Sequence, residues 1–229
     1  MKPEFMMKNK KILIVDYKLS NLFSVSNACQ LVGFEPLISS NKAELENADA
    51  LILPGVGSFP DAMKNLKDLD LIGPLIDFAQ SGKPILGVCL GLQLMFSESE
   101  EFYQTKGLGL IEGIIRKFPK QINGHVLKVP HMGWNQIYSA KQNWNSGAYS
   151  KIKENEFMYF VHSYYVTPTD QSTILSLTNY HDFEFCSSIQ KKNLIATQFH
   201  PEKSGKPGLT IYQQWKELIF INDLKNEMK

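Results

Sequence analysis

The segment that most constrains the fold is a cysteine held between two glycines, Gly87-Val-Cys-Leu-Gly91. The apolar residues 85–88 predict a buried strand, and residues 92–96 predict the start of a helix. Glycine on each side of the cysteine permits a sharp turn, because a Cβ at these positions would clash with the backbone. The pattern is the strand-to-helix nucleophile elbow, with cysteine in place of serine. Taken alone, it leaves a buried structural cysteine as the alternative to a reactive one.

A second informative segment, Gln198-Phe-His-Pro-Glu-Lys-Ser204, follows the apolar run 194–196. In extended chain, residues two apart point to the same face, so His200 and Glu202 are predicted to project together. A histidine beside a carboxylate is a base with its orienting group, which is the usual way to activate a cysteine. An isolated pair of this kind is more often a surface histidine and a solvated glutamate. Together with the elbow, it predicts a triad of Cys89, His200 and Glu202.

Composition limits the classes to which the chain can belong. Its 229 residues and 43% hydrophobic content fit one large α/β domain. A net charge of +1 does not indicate binding to nucleic acid or to a membrane surface. The three widely spaced cysteines predict neither disulfides nor a metal cluster, and therefore a cytoplasmic location. No apolar run approaches the roughly 20 residues of a membrane span, and the N-terminus lacks a secretory signal.

Strands that alternate with helices predict a mostly parallel sheet covered on both faces. The predicted strands are 11–15, 34–38, 50–53, 85–88, 110–118, 126–129, 158–166, 174–178, 185–190 and 194–199, and the predicted helices are 21–32, 58–66, 71–80 and 209–220. We interpret residues 11–222 as one domain and 223–229 as a C-terminal tail. Residues 1–10 are interpreted as an N-terminal extension, and the adjacent Met6 and Met7 hint that its first residues are foreign to the natural chain.

With the triad in place, the chain resembles the class I glutamine amidotransferases, and within them the glutaminase subunits of imidazole glycerol phosphate synthase, from histidine biosynthesis. The resemblance covers nearly the whole chain and implies a flavodoxin-like fold, in which a central, mostly parallel sheet is flanked by helices and antiparallel strands are added in the second half. The most selective segments occur in family order: Pro54-Gly-Val-Gly-Ser-Phe59, Pro130-His-Met-Gly-Trp-Asn135, Tyr159-Phe-Val-His-Ser-Tyr-Tyr165 and Gln198-Phe-His-Pro-Glu-Lys-Ser204.

One loop departs from the family. Where the family usually carries D-Y-G-x-G-N after its first strand, this chain has Asp16-Tyr-Lys-Leu-Ser-Asn21, so that Lys18 and Ser20 replace two glycines. In the family this loop lies near the synthase partner, so the change bears on the identity of the partner more than on the glutaminase chemistry. The pathway alternative is therefore a paralogous subunit that supplies ammonia to a sugar amidotransferase in surface polysaccharide biosynthesis.

The chemistry expected here is hydrolysis of L-glutamine to glutamate and ammonia through a thioester on Cys89, without a cofactor or a metal. The helix N-terminus beside the sulfur favours a thiolate. His200 takes up the thiol proton and returns one to the leaving ammonia, while Glu202 holds the imidazole. Backbone N–H groups of Leu90 and of the 54–57 loop are the candidate oxyanion donors, although an ordinary glycine-rich turn remains the alternative for that loop.

In the 54–57 loop the candidate donor is the N–H of Val56 or of Gly57. The resemblance also assigns binding residues: those expected to bind glutamine are Gly55, Gln93, His162, Ser163 and Tyr164, with His162 more structural than catalytic. A polar helix-surface role is the alternative for Gln93. The residues expected at the partner interface are Asn21, Trp134, Asn135 and Lys203, with a core role as the alternative for Trp134 and a solvated side chain for Lys203.

A partner in trans is expected because water protonates free ammonia, and the glutaminase fold leaves no room for an acceptor domain. The resemblance implies a heterodimer with a (β/α)8-barrel synthase (cyclase) subunit that forms imidazole glycerol phosphate and an aminoimidazole carboxamide ribotide (AICAR). It also implies that the isolated subunit is nearly inactive until the oxyanion loop reorganises. The rival readings are a silent regulatory or scaffolding protein, a peptidase-like or glyoxalase-like cysteine hydrolase, and an amidotransferase serving anthranilate or pyridoxal phosphate synthesis.

Overall fold

The computed structural model describes residues 10–19, 21–140, 144 and 147–227, and the side chains among them up to residue 220 except that of residue 125. Most of the predicted N-terminal extension and the substituted Ser20 therefore lie outside the described residues. The strands are β1 Ile12–Val15, β2 Leu37–Ser39, β3 Ala50–Gly55, β4 Ile85–Cys89, β5 Phe96–Ser99, β6 Thr105–Lys106, β7 Ile111–Lys117, β8 Gln121–Ile122, β9 His125–Val126, β10 His131–Ser139, β11 Glu156–His162, β12 Tyr164–Pro168, β13 Ile174–Tyr180, β14 Phe183–Lys191 and β15 Leu194–Thr197.

Helices connect these strands. The α-helices are α1 Leu22–Leu31, α2 Lys42–Glu46, α3 Phe59–Asp68, α4 Ile72–Gln80, α5 Leu90–Leu94 and α6 Gly205–Glu227, and the short 3-10 turns are Gly147–Tyr149, Gln171–Thr173 and Pro201–Lys203. No helix in the described part of the chain is long and apolar enough to cross a membrane. The closing helix α6 is longer than the predicted 209–220 and takes in residues 223–227.

The sheet has a parallel part and an antiparallel part that meet at β15. Strands β2, β1, β3, β4 and β15 pair in this order and run parallel. On its other side β15 pairs with antiparallel β14, beyond which lie β12 and β7. Strands β10 and β11 form an antiparallel ribbon that joins the sheet through β13. The predicted α/β fold, with antiparallel strands added in the second half, is confirmed.

Both faces of the parallel strands β1, β3, β4 and β15 are buried, as their continuous apolar sequence predicts, whereas the edge strand β2 is partly exposed. In β1, Leu13 and Val15 pack into one hydrophobic cluster with α3 and α4. Ile12 and Ile14 point the other way, into a second cluster with α1 and α6. The carboxyl ends of β3 and β4 are consequently held between two layers of helices, and they carry the 54–57 loop and Cys89 to the same edge of the sheet.

Several segments differ from the sequence expectation. The predicted single strand 158–166 is interrupted at Ser163, because the chain there leaves its partner β10 and pairs instead with β7 and β14. Residues 131–139 form β10, which was not predicted because polar residues occupy several of its inward positions. Of the predicted strand 126–129 only Val126 lies in a strand, as the second residue of β9. Residues 96–99 form β5, although Phe96 was predicted to belong to the start of a helix.

Candidate active site

Cys89 occupies the strained turn that its glycine neighbours predict. Its backbone has φ 54° and ψ −105° between β4 and α5, a conformation that costs a non-glycine residue on the order of 1–3 kcal/mol. A Cβ on Gly91 would overlap the carbonyl oxygen of Leu53, and one on Gly87 would lie 2.8 Å from the Cβ of Ala196. The close approach of α5 to β3 therefore requires Gly91, and that of β4 to β15 requires Gly87. The surrounding structure holds the cysteine in its strained conformation.

His200 and Glu202 meet, but not by the route that the sequence indicated. The predicted extended chain is wrong, because Pro201–Lys203 forms a 3-10 turn that begins after His200. The predicted contact is nevertheless present: Nδ1 of His200 lies 2.8 Å from Oε1 of Glu202, and these side chains are 2% and 1% exposed. The backbone N–H of His200 donates to the carbonyl oxygen of Tyr159 at 2.9 Å, which fixes the turn to β11.

The imidazole of His200 is held beside the sulfur of Cys89. Burial lowers the pKa of His200, but the interaction with Cys89 and the hydrogen bond to Glu202 outweigh it and raise the pKa to about 10. Its Nε2 is buried and makes no hydrogen bond among the described residues. This nitrogen is therefore available to exchange a proton with the sulfur or with a ligand bound to it.

A cavity of about 300 Å³ opens above the sulfur. It brings together most of the predicted site residues, and its lining consists of Val56, Gly57, Cys89, Leu90, Gln93, Glu101, Pro130, Val161, His162, Ser163 and Tyr164. Gly55 lies just behind it, where a Cβ would overlap the hydroxyl of Tyr17. A larger cavity of about 990 Å³, at the amino ends of β1 and β2, contains none of these residues. We therefore take the smaller cavity as the candidate active site.

The 54–57 loop is held by the loop after β1. The backbone N–H of Val56 donates to the carbonyl oxygen of Leu19 at 2.9 Å. The hydroxyl of Tyr17 donates to the carbonyl oxygen of Pro54 at 2.6 Å. The Val56 N–H therefore points to Leu19, whereas Leu90 is the first residue of α5 and its N–H has no partner within the helix. Lys18 has φ 69°, the left-handed conformation that the family's glycine would adopt without strain.

The sequence did not identify Gln198 as part of the site. It is fully buried, and its Nε2 lies 3.7 Å from the sulfur of Cys89. Gln93 contacts it: Nε2 of Gln93 donates to Oε1 of Gln198 and to the carbonyl oxygen of Tyr164, both at 3.1 Å. The usable signal was position, since Gln198 stands two residues before His200. The proposed contact of Gln93 with glutamine stays a prediction, and its amide nitrogen is already bound within the protein.

Glu101 was also missed by the sequence analysis. Its side chain lines the cavity, and Oε2 accepts a hydrogen bond from the backbone N–H of Phe59 at 2.7 Å. Burial raises the pKa of this carboxyl, and the Phe59 N–H opposes the rise. A carboxylate in this position can pair with a cationic group of a ligand. It lies in an irregular polar stretch after β5, where no periodic pattern distinguishes it from its neighbour Glu100.

His162 belongs to a buried histidine pair, which supports the structural role expected for it. Its Nδ1 lies 2.8 Å from the carbonyl oxygen of Tyr164, which can only accept, and its Nε2 lies 3.0 Å from Nδ1 of His131. Burial lowers the pKa of His162 to about 3 and that of His131 to about 4. Both rings are therefore neutral near pH 7, with each Nδ1 carrying the proton.

The predicted interface residues lie on different surfaces. Trp134 is 56% exposed, on the outer face of the β10–β11 ribbon with Met132 and Phe157, so a core role for Trp134 is wrong. Asn135 turns inward, and its Nδ2 donates to the carbonyl oxygen of Asn179 at 2.9 Å.

The other two predicted interface residues are Lys203 and Asn21. Lys203 is exposed beside the outer face of the ribbon, with its Nζ 6.0 Å from the ring centre of Tyr159. Asn21 precedes α1 and does not cap this helix through its side chain.

Comparison with known proteins gives consistent similarities. A model of the family described as glutamine amidotransferase class-I matches residues 13–216. Imidazole glycerol phosphate synthase subunit HisH of Aquifex aeolicus is 44% identical over 207 residues, covering 90% of this chain and 96% of the relative. HisH of Methanosarcina acetivorans is 47% identical over 209 residues, covering 91% and 99%.

Solved structures agree at the level of the fold. A structure of PurLQS from Thermotoga maritima contains a chain that superposes with a TM-score of 0.67 at 18% identity, covering 92% of this chain and 99% of that one. The glutaminase domain of CTPS from Trypanosoma brucei, with bound acivicin, gives 0.65 at 17% identity, covering 93% and 94%. At this level of identity the similarity concerns the fold alone.

Proposed function

The chain belongs to the class-I glutamine amidotransferases, and on this basis we propose the reaction and its machinery. The protein is an enzyme that hydrolyses L-glutamine to glutamate and ammonia and passes the ammonia to a synthase partner, which makes imidazole glycerol phosphate and AICAR in histidine biosynthesis. The observation that carries this function is the triad itself: Cys89 lines the cavity, the imidazole of His200 interacts with Cys89, and Glu202 holds that imidazole at 2.8 Å. The relatives do not favour the sugar-amidating alternative.

The geometry supports nucleophilic catalysis at Cys89. The thiolate attacks the side-chain amide carbon of glutamine, and the amide oxygen becomes an oxyanion. His200, whose raised pKa keeps it protonated near pH 7, gives its proton to the leaving nitrogen, so that ammonia departs and a glutamyl thioester remains. Water, deprotonated by His200, then attacks the thioester and releases glutamate. Glu202 holds the imidazole throughout and stabilises its charged form.

The cavity lining supports recognition of glutamine. The carboxylate of Glu101 faces the cavity in a place where it can pair with the α-ammonium group of the amino acid. The backbone around Ser163 and Tyr164, at the break between β11 and β12, offers polar groups beside it. A cavity of about 300 Å³ is at the small end of the usual range for ligand sites, which suits a free amino acid rather than a peptide.

The oxyanion donors support control by a partner. Leu90 offers an N–H next to the nucleophile, but the N–H of Val56 is bound to the carbonyl oxygen of Leu19. In this state the 54–57 loop supplies an incomplete oxyanion site. Removing one donor of such a site typically costs about 10²–10³ in rate, so we propose low activity in the isolated protein and higher activity once the loop reorganises in the complex.

The position of the exposed ribbon supports direct transfer of ammonia. Met132 and Trp134 stand two residues apart on β10, and both side chains point outward. Val161 pairs with Met132 on the neighbouring strand and lines the cavity. The apolar face is therefore continuous with the mouth of the site, and a partner bound there would cover the opening. We propose a (β/α)8-barrel synthase in this position, in a cytoplasmic heterodimer, a compartment with which three unpaired cysteines agree.

Reconstitution tests this function. The protein is mixed with a histidine-pathway synthase and its ribotide substrate, and imidazole glycerol phosphate is measured with either glutamine or ammonium salt as the nitrogen source. Cys89→Ala should abolish the glutamine-dependent reaction and leave the ammonia-dependent one intact. Formation of an amidated sugar with a different synthase, and no product with this one, would overturn the assignment to histidine biosynthesis.

A further inference from the structure

The mechanism proposed above leaves one neighbour of the Cys89 sulfur without a role. Gln198 is fully buried, and its Nε2 lies 3.7 Å from the sulfur with the geometry of a hydrogen-bond donor. Starting from the proposed nucleophilic role of Cys89, we propose that Gln198 is a further catalytic residue whose amide N–H favours the thiolate, and that Gln93 is the positioning residue that keeps this amide in the correct orientation.

The orientation follows from the hydrogen-bond chain behind Gln198. The carbonyl oxygen of Tyr164 can only accept, so the group of Gln93 that meets it at 3.1 Å is the NH₂. The other hydrogen of this NH₂ points to Gln198, also at 3.1 Å, and requires an acceptor there. The oxygen of Gln198 therefore faces Gln93, and its NH₂ faces the sulfur. A flipped Gln198 would place two NH₂ groups against each other and lose this hydrogen bond.

The consequence for the sulfur depends on its two hydrogen-bond partners. As a thiol it can donate to the carbonyl oxygen of Val161, 3.9 Å away, and as a thiolate it can accept from Gln198. The first contact favours the neutral form, whereas the second favours the charged form because hydrogen bonds to ionised groups are stronger. Among the described residues, the other ionisable side chains around the sulfur are His200, with Glu202 behind it, and Glu101, His162 and Tyr164 in the cavity lining. Gln198 adds a neutral donor to this set.

Alkylation of the purified protein by iodoacetamide tests the proposal without glutamine, acceptor or partner. The rate at Cys89 is followed by mass spectrometry at pH 7 and again at an alkaline pH where the wild-type rate has reached its plateau. Gln198→Met keeps the volume and removes the donor, so we expect a rate about tenfold lower at pH 7 and little change at the plateau. Gln214→Met is the matched control, since Gln214 is a buried, hydrogen-bonded glutamine on α6, and it should leave both rates unchanged.

Two outcomes would overturn the proposal: equal rates for Gln198→Met and wild type at pH 7, or the same loss at both pH values, which indicates altered access to the sulfur. If circular dichroism shows that Gln198→Met does not fold, Gln93→Met takes its place. This variant frees the Gln198 oxygen, and a several-fold loss confined to pH 7 is expected; an unchanged pH dependence counts against the proposal. Because alkylation requires no substrate, a failure of the glutaminase assignment would be seen separately, in the reconstitution.

Discussion

The backbone N–H of Val56 and the carbonyl oxygen of Leu19 are joined by a 2.9 Å hydrogen bond. This bond links the loop that should stabilise the oxyanion to the loop in which the chain departs from its family. The state of the oxyanion site is therefore coupled to the region where a partner is expected to bind. Reorganising the 54–57 loop requires that this bond break and that Gly57, with φ 99°, change its conformation.

The first prediction concerns Gly57. A Cβ there would meet nothing closer than 3.8 Å, so Gly57→Ala should act through backbone conformation alone, at a cost of roughly 1 kcal/mol in stability. We expect it also to lower glutaminase kcat in the complex at least tenfold, because the loop can no longer interconvert freely. Gly82→Ala is the control, since Gly82 has φ 81° and open space around it. If both variants lose stability equally and neither loses activity, the loop does not need to move.

The second prediction concerns Glu202 and alkaline pH. Because the pKa of His200 is raised to about 10, well above the value of about 6.5 for an unfolded histidine, the charged imidazole stabilises the fold below pH 6.5. This stabilisation should be lost as the pH rises through 10. In Glu202→Gln the loss should be smaller, and kcat should fall about 10²–10⁴-fold. Urea unfolding between pH 6.5 and 10 measures the first effect, and parallel curves for the two proteins would contradict it.

The third prediction concerns acid pH. The histidine pair His131 and His162 has lowered pKa values, about 4 and about 3, so the neutral pair stabilises the fold above pH 6.5. The free energy of unfolding should decline as the pH falls from 6.5 towards 4, with each histidine contributing about 1.4 kcal/mol per pH unit. His131→Gln should remove about half of this slope. An acid dependence identical to that of wild type would show that the pair does not bury its neutral form.

The fourth prediction concerns Glu101. If its carboxylate binds the α-ammonium group of glutamine, Glu101→Gln should raise the KM for glutamine about 10–100-fold, the range expected for a hydrogen bond to a charged group, with a smaller change in kcat. The amide oxygen of the new side chain can still accept from the Phe59 N–H. Glu100→Gln, at the exposed neighbouring position, should leave KM unchanged. A loss confined to kcat would place Glu101 outside the binding site.

The fifth prediction concerns the β10–β11 ribbon. Trp134→Ala should weaken binding of the synthase by about 2 kcal/mol, the range of an aromatic hot spot, or roughly 30-fold in Kd. Leu37→Ala, which changes a comparably exposed residue on the edge strand β2, should have no effect. Titration calorimetry with the synthase measures both variants, and equal affinities for them would place the interface elsewhere.

The sequence predicted the parts of the fold that periodicity and turn chemistry determine. The parallel strands, the helices on both faces and the turn at Cys89 follow from apolar runs and from two glycines that cannot carry a Cβ. The convergence of His200 and Glu202 was predicted correctly but for the wrong reason, since Pro201 begins a 3-10 turn rather than continuing a strand. A short proline-initiated turn and an extended segment can bring the same two side chains together.

The missed parts of the site depend on long-range contacts. Gln198 and Glu101 resemble ordinary polar residues in sequence, and only their contacts with Gln93 and Phe59 mark them as parts of the site. The break at Ser163 arises because the chain changes strand partners there. The inward turn of Asn135 likewise depends on its hydrogen bond to Asn179. None of these features is encoded in a local pattern.

The pairing of β4 with β15 has a consequence for how this architecture can change. Val88 is in register with Thr197, one residue before Cys89 and three before His200. The hydrogen-bond ladder of two adjacent strands therefore sets the distance from nucleophile to base, and within the intervening hundred or so residues β11 adds a support through the carbonyl oxygen of Tyr159. Insertions, deletions or grafted recognition elements in the exposed turns of that span, outside β11, β14, β15 and the cavity lining, should leave the reacting pair aligned, so the scaffold can acquire new partners while its chemistry stays unchanged.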